Sequence, residues 1–112
     1  MGNLPARPAE RRHFARFPVS CRVLVRGEQP PGDEAAGRLR DIGDGGLMAE
    51  FPGGLGPGSA VVLLLQTRRG SLAVEGQVVW TAVTQGKVGH GVAFLKPQGE
   101  GFALDLFLTE AS

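Results

Sequence analysis

The sequence predicts an all-β protein: a small six-stranded antiparallel β-barrel with a mobile N-terminal arm and a short C-terminal helix. Three observations support this fold class. Several short segments alternate apolar and polar residues with the period of two that half-buried strands have. The 18 glycines and 8 prolines separate these segments and mark turns. After residue 99 the apolar period becomes helical. Short strands joined by glycine turns are typical of a closed antiparallel barrel.

The strands are predicted from the apolar positions that follow the arm. Residues 1–16 contain few apolar side chains and are expected to form the mobile arm, and residues 17–112 to form the barrel with its helix. The segment 59–67 is largely apolar on both faces, so it is expected to be more buried than amphipathic. The six predicted strands cover residues 17–26, 35–42, 47–51, 59–67, 72–83 and 89–95.

Two elements carry more detailed expectations. In the strand 72–83, one face is expected to hold Leu72, Val74, Val78 and Trp80, with Trp80 packing in the core or at its rim. At the C-terminus, apolar residues at i, i+3 and i+4 predict a short amphipathic helix that packs this stripe on the barrel. The stripe consists of Leu104, Phe107 and Leu108, with Ala103 beside it.

Composition excludes several classes of function. The net charge of +1 and the absence of tyrosine argue against a general nucleic-acid-binding protein, which needs basic surface and stacking aromatics. The arginines are nevertheless concentrated in the first quarter of the chain, where they predict a local basic patch. Four further positions are read as arginines on exposed strand faces: Arg22, Arg26, Arg38 and Arg40.

No catalytic or metal site can be assembled from the sequence. The single cysteine, Cys21, excludes a disulfide framework and is read as a small buried hydrophobe. His13 and His90 are isolated, so no metal and no cofactor is expected. No nucleophile and base stand in a recognisable pattern, so an enzyme is not expected. The N-terminus lacks an apolar signal segment, and the longest apolar run, 60–65, is too short to cross a membrane. A soluble, cytoplasmic protein is expected.

Two motifs stand out from this background. Arg12 and Arg16 are separated by three residues, and a glycine-rich turn covers residues 41–46, DIGDGG. Taken alone, the arginines would be a solvated basic arm and the turn a plain hairpin connection. Asp41 could bond backbone amides ahead of it in the turn. It could equally accept hydrogen bonds from a ligand.

These motifs resemble those of the PilZ domain family, small barrels that typically sense cyclic di-GMP. The arginine pair of residues 12–16 matches the family's first motif, and residues 41–46 occupy the place of its second motif. Residues 76–80 and 91–94 resemble the family's last two strands. The resemblance covers nearly all of residues 11–108, and it implies a cyclic di-GMP-binding effector in which the arm folds over the ligand.

The resemblance also implies the site residues. The expected ligand-binding set is Arg11, Arg12, Arg16, Asp41, Gly43 and Gly46. Arginine can bond guanine or phosphate bidentately, and an aspartate can accept from guanine N–H groups. Gly46 is expected to allow close backbone approach and left-handed dihedrals. In the family, an arginine at the position of Arg11 goes with binding of a stacked ligand dimer.

The chain departs from the family pattern at one position. Gly43 stands where the family has serine, and losing a hydroxyl contact worth roughly 0.5–1.5 kcal/mol would weaken binding up to about tenfold. Gly43→Ser is therefore expected to tighten binding. The expected output is regulation of an unidentified partner protein, for example in motility, pilus or biofilm formation. The alternative is a degenerate PilZ module that binds no nucleotide and acts as a protein–protein adaptor.

Overall fold

The computed structural model describes residues 15–27 and 34–111, in which six antiparallel strands form a closed barrel with one helix. Around the barrel the strand order is β1-β2-β3-β6-β5-β4, and pairing of β4 with β1 closes the sheet. The predicted six-stranded barrel and the short C-terminal helix are confirmed, and each predicted strand begins and ends within two residues of the observed strand. The predicted mobile arm, residues 1–16, lies outside the described residues except for Ala15 and Arg16. The elements are β1 (Phe17–Gly27), β2 (Glu34–Ile42), β3 (Gly46–Phe51), β4 (Ala60–Thr67), β5 (Gly70–Thr84), β6 (Lys87–Phe94) and α1 (Phe102–Ala111).

The barrel interior is filled by the residues that the period-two pattern selects. In β1 every second residue from Val19 to Val25 is buried, whereas Ser20 and Arg22 are exposed. No residue of β4 is exposed, in agreement with its nearly continuous apolar sequence. The largest fully buried side chains are Leu39, Ile42, Leu47, Leu63, Leu65, His90, Val23 and Val78.

Two residues with reactive side chains belong to this interior. Cys21 is buried, as predicted, and burial raises the pKa of its thiol, with the Glu110 carboxylate adding to the effect. His90 is fully buried. Its Nε2 accepts a hydrogen bond from the Leu55 amide at 2.9 Å, so its Nδ1 carries the proton that is donated to the Val88 carbonyl at 3.0 Å. Burial of Cys21 and the hydrogen bonds of His90 therefore assign both side chains a role in the packing of the barrel.

Strand β5 contains an irregularity that the sequence pattern did not predict. Val78 pairs with Val92 and Trp80 pairs with Gly91, so Val79 is an extra residue in β5. A bulge of this kind reverses the alternation of the residues that follow it. Val78 is fully buried, whereas Trp80 is 44% exposed on the outer surface. The prediction that Trp80 shares a face with Val74 and Val78 is therefore wrong.

The predicted C-terminal helix is present, but its buried face differs from the predicted one. Ala103 and Leu106 are buried, whereas Leu104 and Leu108 are exposed. The cause is packing at the two ends of α1. Near its start Phe102 contacts Phe94, and further on Phe107 stacks against Phe17 with ring centroids 5.6 Å apart. These aromatic contacts turn α1 so that its 103/106/107 face meets the barrel.

Asp44, which lies between β2 and β3, caps the N-terminus of α1 from a distant part of the chain. Its Oδ1 accepts from the Ala103 amide at 3.0 Å, and its Oδ2 accepts from the Gly101 amide at 3.2 Å. A carboxylate at this place satisfies amides that have no partner within the helix and interacts favourably with the helix dipole. The β2–β3 turn and the helix are thus bonded to each other.

Over residues 15–27 and 34–111, no helix is long and apolar enough to cross a membrane.

Removal of the Asp44 carboxylate should destabilise the fold. We expect Asp44→Ala to lower the free energy of unfolding by about 1–2 kcal/mol, because two amides at the start of α1 lose their acceptor. Denaturant unfolding followed by circular dichroism measures the change. Glu100→Ala, which removes an exposed carboxylate near the same helix end, is the matched control and should change stability by less than about 0.5 kcal/mol. Equal effects of the two substitutions would contradict the capping role.

Candidate ligand-binding cleft

The β2–β3 turn is held against the barrel by hydrogen bonds on both of its sides. The Gly43 amide donates to the Gly46 carbonyl at 2.8 Å, which closes the turn. The Phe94 amide donates to the Gly45 carbonyl at 2.9 Å, which attaches the turn to the end of β6. Together with the hydrogen bonds that Asp44 accepts from the start of α1, these bonds fix the backbone of the turn relative to β3, β6 and α1.

Gly46 is required by close packing against β6. A Cβ atom at this position would lie 2.3 Å from the Val92 carbonyl oxygen, which is backbone and cannot move aside. The close backbone approach observed at Gly46 is made by β6, and close approach of a ligand at this position stays a prediction. Left-handed dihedrals are not observed, since Gly46 is absent from the glycines of positive φ. The space that Gly46 leaves is taken by the neighbouring strand.

Arg16 and Asp41 form an ion pair beside this turn. The Arg16 Nε and Nη2 atoms both donate to Asp41 Oδ1, with the Nε bond at 2.8 Å. The two side chains are 42% and 34% exposed, so the pair lies at the surface. No described residue donates to Asp41 Oδ2, and no described turn amide donates to either carboxylate oxygen. The turn-bonding alternative for Asp41 is thus not the arrangement that the structure describes.

Gly43 lies directly under the end of the arm. A Cβ atom there would lie 2.9 Å from the Ala15 carbonyl oxygen and 3.2 Å from Arg16 Cδ. The arm backbone would have to shift to admit any side chain at this position. Gly43 therefore has a local structural role: it lets Ala15 and Arg16 lie against the turn.

A cleft of about 620 Å³ opens beside the ion pair on the outer surface of β3, β5 and β6. Arg16 and Asp41 line one part of it, and Trp80 lines another. Gly91 permits this position of Trp80, because a Cβ atom at residue 91 would overlap the indole ring. The remaining lining residues are Gly45, Gly46, Leu47, Met48, Val79, Val92 and Ala93.

This arrangement suits a flat ligand with polar edges and negative charge. Small residues and aliphatic side chains give the cleft an apolar lining without large projections. A half-exposed indole offers a surface on which a planar ring can stack. Arg16 supplies donors for phosphate or for the acceptor edge of a base, and Asp41 supplies an acceptor for ring N–H groups.

The predicted site residues are only partly brought together by the described structure. Arg16, Asp41 and Gly46 line the cleft, and Gly43 packs beneath Arg16. Arg11 and Arg12 lie outside the described residues. Trp80 was not predicted as a site residue, because the bulge that turns it outward has no clear signal in the sequence. Among the described residues, no group of three or more potential metal ligands occurs.

The chain was compared with known families and structures. The PilZ domain family model matches residues 10–104. No curated protein matches the chain significantly. The solved structures that share the fold include the following three. The PilZ domain of YcgR from Escherichia coli with c-di-GMP has a TM-score of 0.62 and 18% identity, over 86% of this chain and 90% of that one.

The other two structures are similarly distant in sequence. The PilZ domain of CeSA from a cellulose-synthesizing bacterium has a TM-score of 0.58 and 16% identity, over 81% of this chain and 91% of that one. MrkH of K. pneumonia has a TM-score of 0.58 and 18% identity, over 86% of this chain and 49% of that one. Because the family model covers most of the sequence and the barrel agrees with these structures, the chain belongs to the PilZ domain family.

Proposed function

We propose that the cleft binds cyclic di-GMP and that the protein acts as a receptor for this second messenger. The observation that carries the proposal is the meeting of Arg16 and Asp41 at the rim of a cleft that also contains the half-exposed Trp80. Membership of the PilZ family supports the identity of the ligand. The E. coli structure of similar fold is a PilZ domain with c-di-GMP.

Each group has a role that follows from its chemistry. Asp41 accepts from the guanine N1–H and N2–H groups through its two carboxylate oxygens: Oδ2 has no donor among the described residues, and Oδ1 is released when Arg16 turns to the ligand. Arg16 binds a phosphate or the O6 and N7 edge of guanine, for which its guanidinium is suited. Trp80 stacks on a base. Arg11 and Arg12 add further guanidinium groups from the arm, with Arg11 serving a second, stacked ligand molecule.

Binding requires Arg16 to reorganise, and the energetic cost is small. In the described state its guanidinium is bonded to Asp41, and its Nη1 also donates a long hydrogen bond to the Gly46 carbonyl at 3.4 Å. An exposed pair of this kind contributes only about 0–1 kcal/mol to stability. A ligand phosphate offers Arg16 a stronger, doubly hydrogen-bonded partner. Ligand binding can therefore break the Arg16–Asp41 pair. The movement of Arg16 then displaces the end of the arm, Ala15 and Arg16, that covers Gly43.

The proposed output is a change of surface that a partner protein reads. Arg16 is followed directly by Phe17, whose ring stacks on Phe107 of α1. Movement of the arm therefore occurs next to a helix that the partner can contact. PilZ proteins are binding and adaptor domains, and we propose no catalytic activity here. The proposed ligand is cyclic di-GMP, with no metal or other cofactor.

One observation favours the alternative of a nucleotide-free adaptor. Arg16 is already paired with Asp41, and Gly43 lets the arm lie close to the turn without a ligand. A module that had lost nucleotide binding could keep this arrangement as a fixed surface. Calorimetry with cyclic di-GMP distinguishes the two functions.

We expect isothermal titration with cyclic di-GMP to give saturable heat, and Arg16→Ala to reduce affinity at least about 100-fold, since a charged bidentate contact is lost. Arg26→Ala is the matched control: Arg26 is exposed and paired with Glu34, as Arg16 is with Asp41, but lies outside the cleft. It should bind as the parent protein does. Absence of both heat and thermal shift at high micromolar ligand would refute the receptor function.

Gly43→Ser should tighten cyclic di-GMP binding by up to about tenfold. The new side chain crowds Ala15 and Arg16 in the free protein, and departure of Arg16 to the ligand relieves this crowding. The hydroxyl adds a ligand contact. Gly53→Ser, at a position with no atom within 4 Å of a new Cβ, should leave the affinity unchanged. An unchanged or weaker affinity for Gly43→Ser would mean that Arg16 stays on Asp41 in the complex.

Trp80 is the single tryptophan, so its fluorescence reports on the cleft. We expect its emission to be quenched as cyclic di-GMP saturates the protein, because a stacked guanine covers the ring. Trp80→Ala should weaken binding by about 1–3 kcal/mol, roughly 5- to 150-fold. Val83→Ala, an exposed position further along β5, is the control. If cyclic di-GMP quenches the fluorescence of the parent protein fully but Trp80→Ala binds the ligand with unchanged affinity, stacking on Trp80 is contradicted.

A further inference from the structure

A second concave surface lies on the barrel wall away from the cleft. It encloses about 480 Å³ and is lined by residues of β1, β2, the end of β3 and the β5–β6 turn. We call it the basic groove, after its cationic side chains Arg22, Arg38 and Lys87. Its other lining residues are Ala36, Gly37, Glu50, Phe51, Pro52 and Gly86. The groove and the cleft share no lining residue.

Two arginines face each other across the strands of this groove. Arg22 of β1 and Arg38 of β2 are direct partners in the antiparallel register, and both are exposed. Like charges in directly opposed positions destabilise a sheet. Among the described residues, neither arginine has a carboxylate within ion-pair distance. Within the same described residues, the one hydrogen bond that Arg38 donates is to the Ser20 hydroxyl, at 2.9 Å. The contacts of residues 15–27 and 34–111 therefore do not explain the pair by its contribution to barrel stability.

The neighbouring arginines differ in this respect. Arg26 is paired with Glu34 at 2.9 Å, and Arg40 is paired with Glu50 at 2.7 Å. Glu50 is the residue opposite Arg38 in the β2–β3 register, yet its carboxylate is bonded to Arg40. The local carboxylates thus neutralise the arginines that flank the groove. Positive charge remains concentrated inside it, although the whole chain has a net charge of only +1.

We propose that the basic groove binds an acidic segment of a partner protein, whose carboxylates pair with Arg22 and Arg38. Guanidinium groups bind carboxylates bidentately, and two of them side by side match two successive acidic side chains. Lys87 adds a third positive charge from the other side of the groove. Ala36 and Pro52 supply apolar surface for the partner's aliphatic groups. The proposal does not depend on nucleotide binding in the cleft.

Charge complementarity favours an acidic protein segment over a nucleic acid. Binding through a nucleic-acid backbone relies on many phosphate contacts along an extended basic surface. The groove offers three cations in a confined space, and the Glu50 carboxylate lies in its wall. A phosphate chain that continued past Arg38 would approach Glu50. A peptide can instead place carboxylates only where the arginines are.

The test uses a fluorescein-labelled oligoglutamate peptide and fluorescence anisotropy at near-physiological salt. We expect the double variant Arg22→Gln/Arg38→Gln to bind the peptide at least about tenfold more weakly than the parent protein, since two charged contacts are lost. Arg68→Gln/Arg69→Gln removes the same charge from the exposed β4–β5 turn and should change affinity less than about twofold. Both doubles alter exposed positions and should remain folded.

Three outcomes would overturn the proposal. Equal weakening by both double variants would show general attraction to a basic protein, and no peptide binding would exclude the groove as an acidic-segment site. Tighter binding of a labelled single-stranded oligonucleotide, lost in the groove variant, would assign the groove to nucleic acid. The groove variant should bind cyclic di-GMP with the same affinity as the parent protein. A failed prediction for the groove can therefore be distinguished from a failed prediction for the cleft.

Discussion

The close approach of β3 to β6 at Gly46 is the constraint on which the rest of the structure depends. Any side chain at this position would collide with the Val92 carbonyl. Because glycine removes that obstacle, the β2–β3 turn can lie against β6 and bond to it through Gly45. The turn then holds Asp41 at the rim of the cleft and Asp44 under the first turn of α1. The absence of a side chain at Gly46 thus allows both the formation of the cleft and the capping of α1 by Asp44.

Irregularities in the sheet surround the cleft and direct its polar and aromatic groups outward. The β2–β3 register shifts between Leu39 and Asp41, and the β5–β6 register shifts between Val78 and Trp80. A third shift follows Pro18 in β1, close to Arg16. Bulges redirect the side chains that follow them and are common beside binding sites. Here the two side chains that bound the cleft, Asp41 and Trp80, each follow directly after such an extra residue.

This distribution explains how much could be predicted from the sequence. The strands follow from strict alternation, as in β1, where Val19 to Val25 mark the core face. Arg16 and Asp41 were proposed as site residues through the resemblance of their motifs to those of the PilZ family. The outward position of Trp80 could not be predicted, because a bulge is a single-residue change of parity with no fixed sequence signature. The prediction of the buried face of α1 was wrong for a similar reason: ring contacts with residues outside the helix, Phe17 and Phe94, decide its rotation.

The cleft and the basic groove are carried by the same two strands. β2 presents Asp41 to the cleft and Arg38 to the groove, while β3 presents Met48 to the cleft and Glu50 to the groove. Between these positions Leu39 of β2 and Ala49 of β3 are fully buried, and close-packed interiors resist sliding of one strand past another. Coupling between two sites requires an element with two arrangements that both sites bias. The rigid strands are a poor candidate, whereas the Arg16–Asp41 pair is exposed and weak enough to open. If the cleft binds a nucleotide and the groove binds an acidic partner segment, as we propose, nucleotide binding acts on the partner through the arm and the neighbouring α1, while the groove holds that partner in both states.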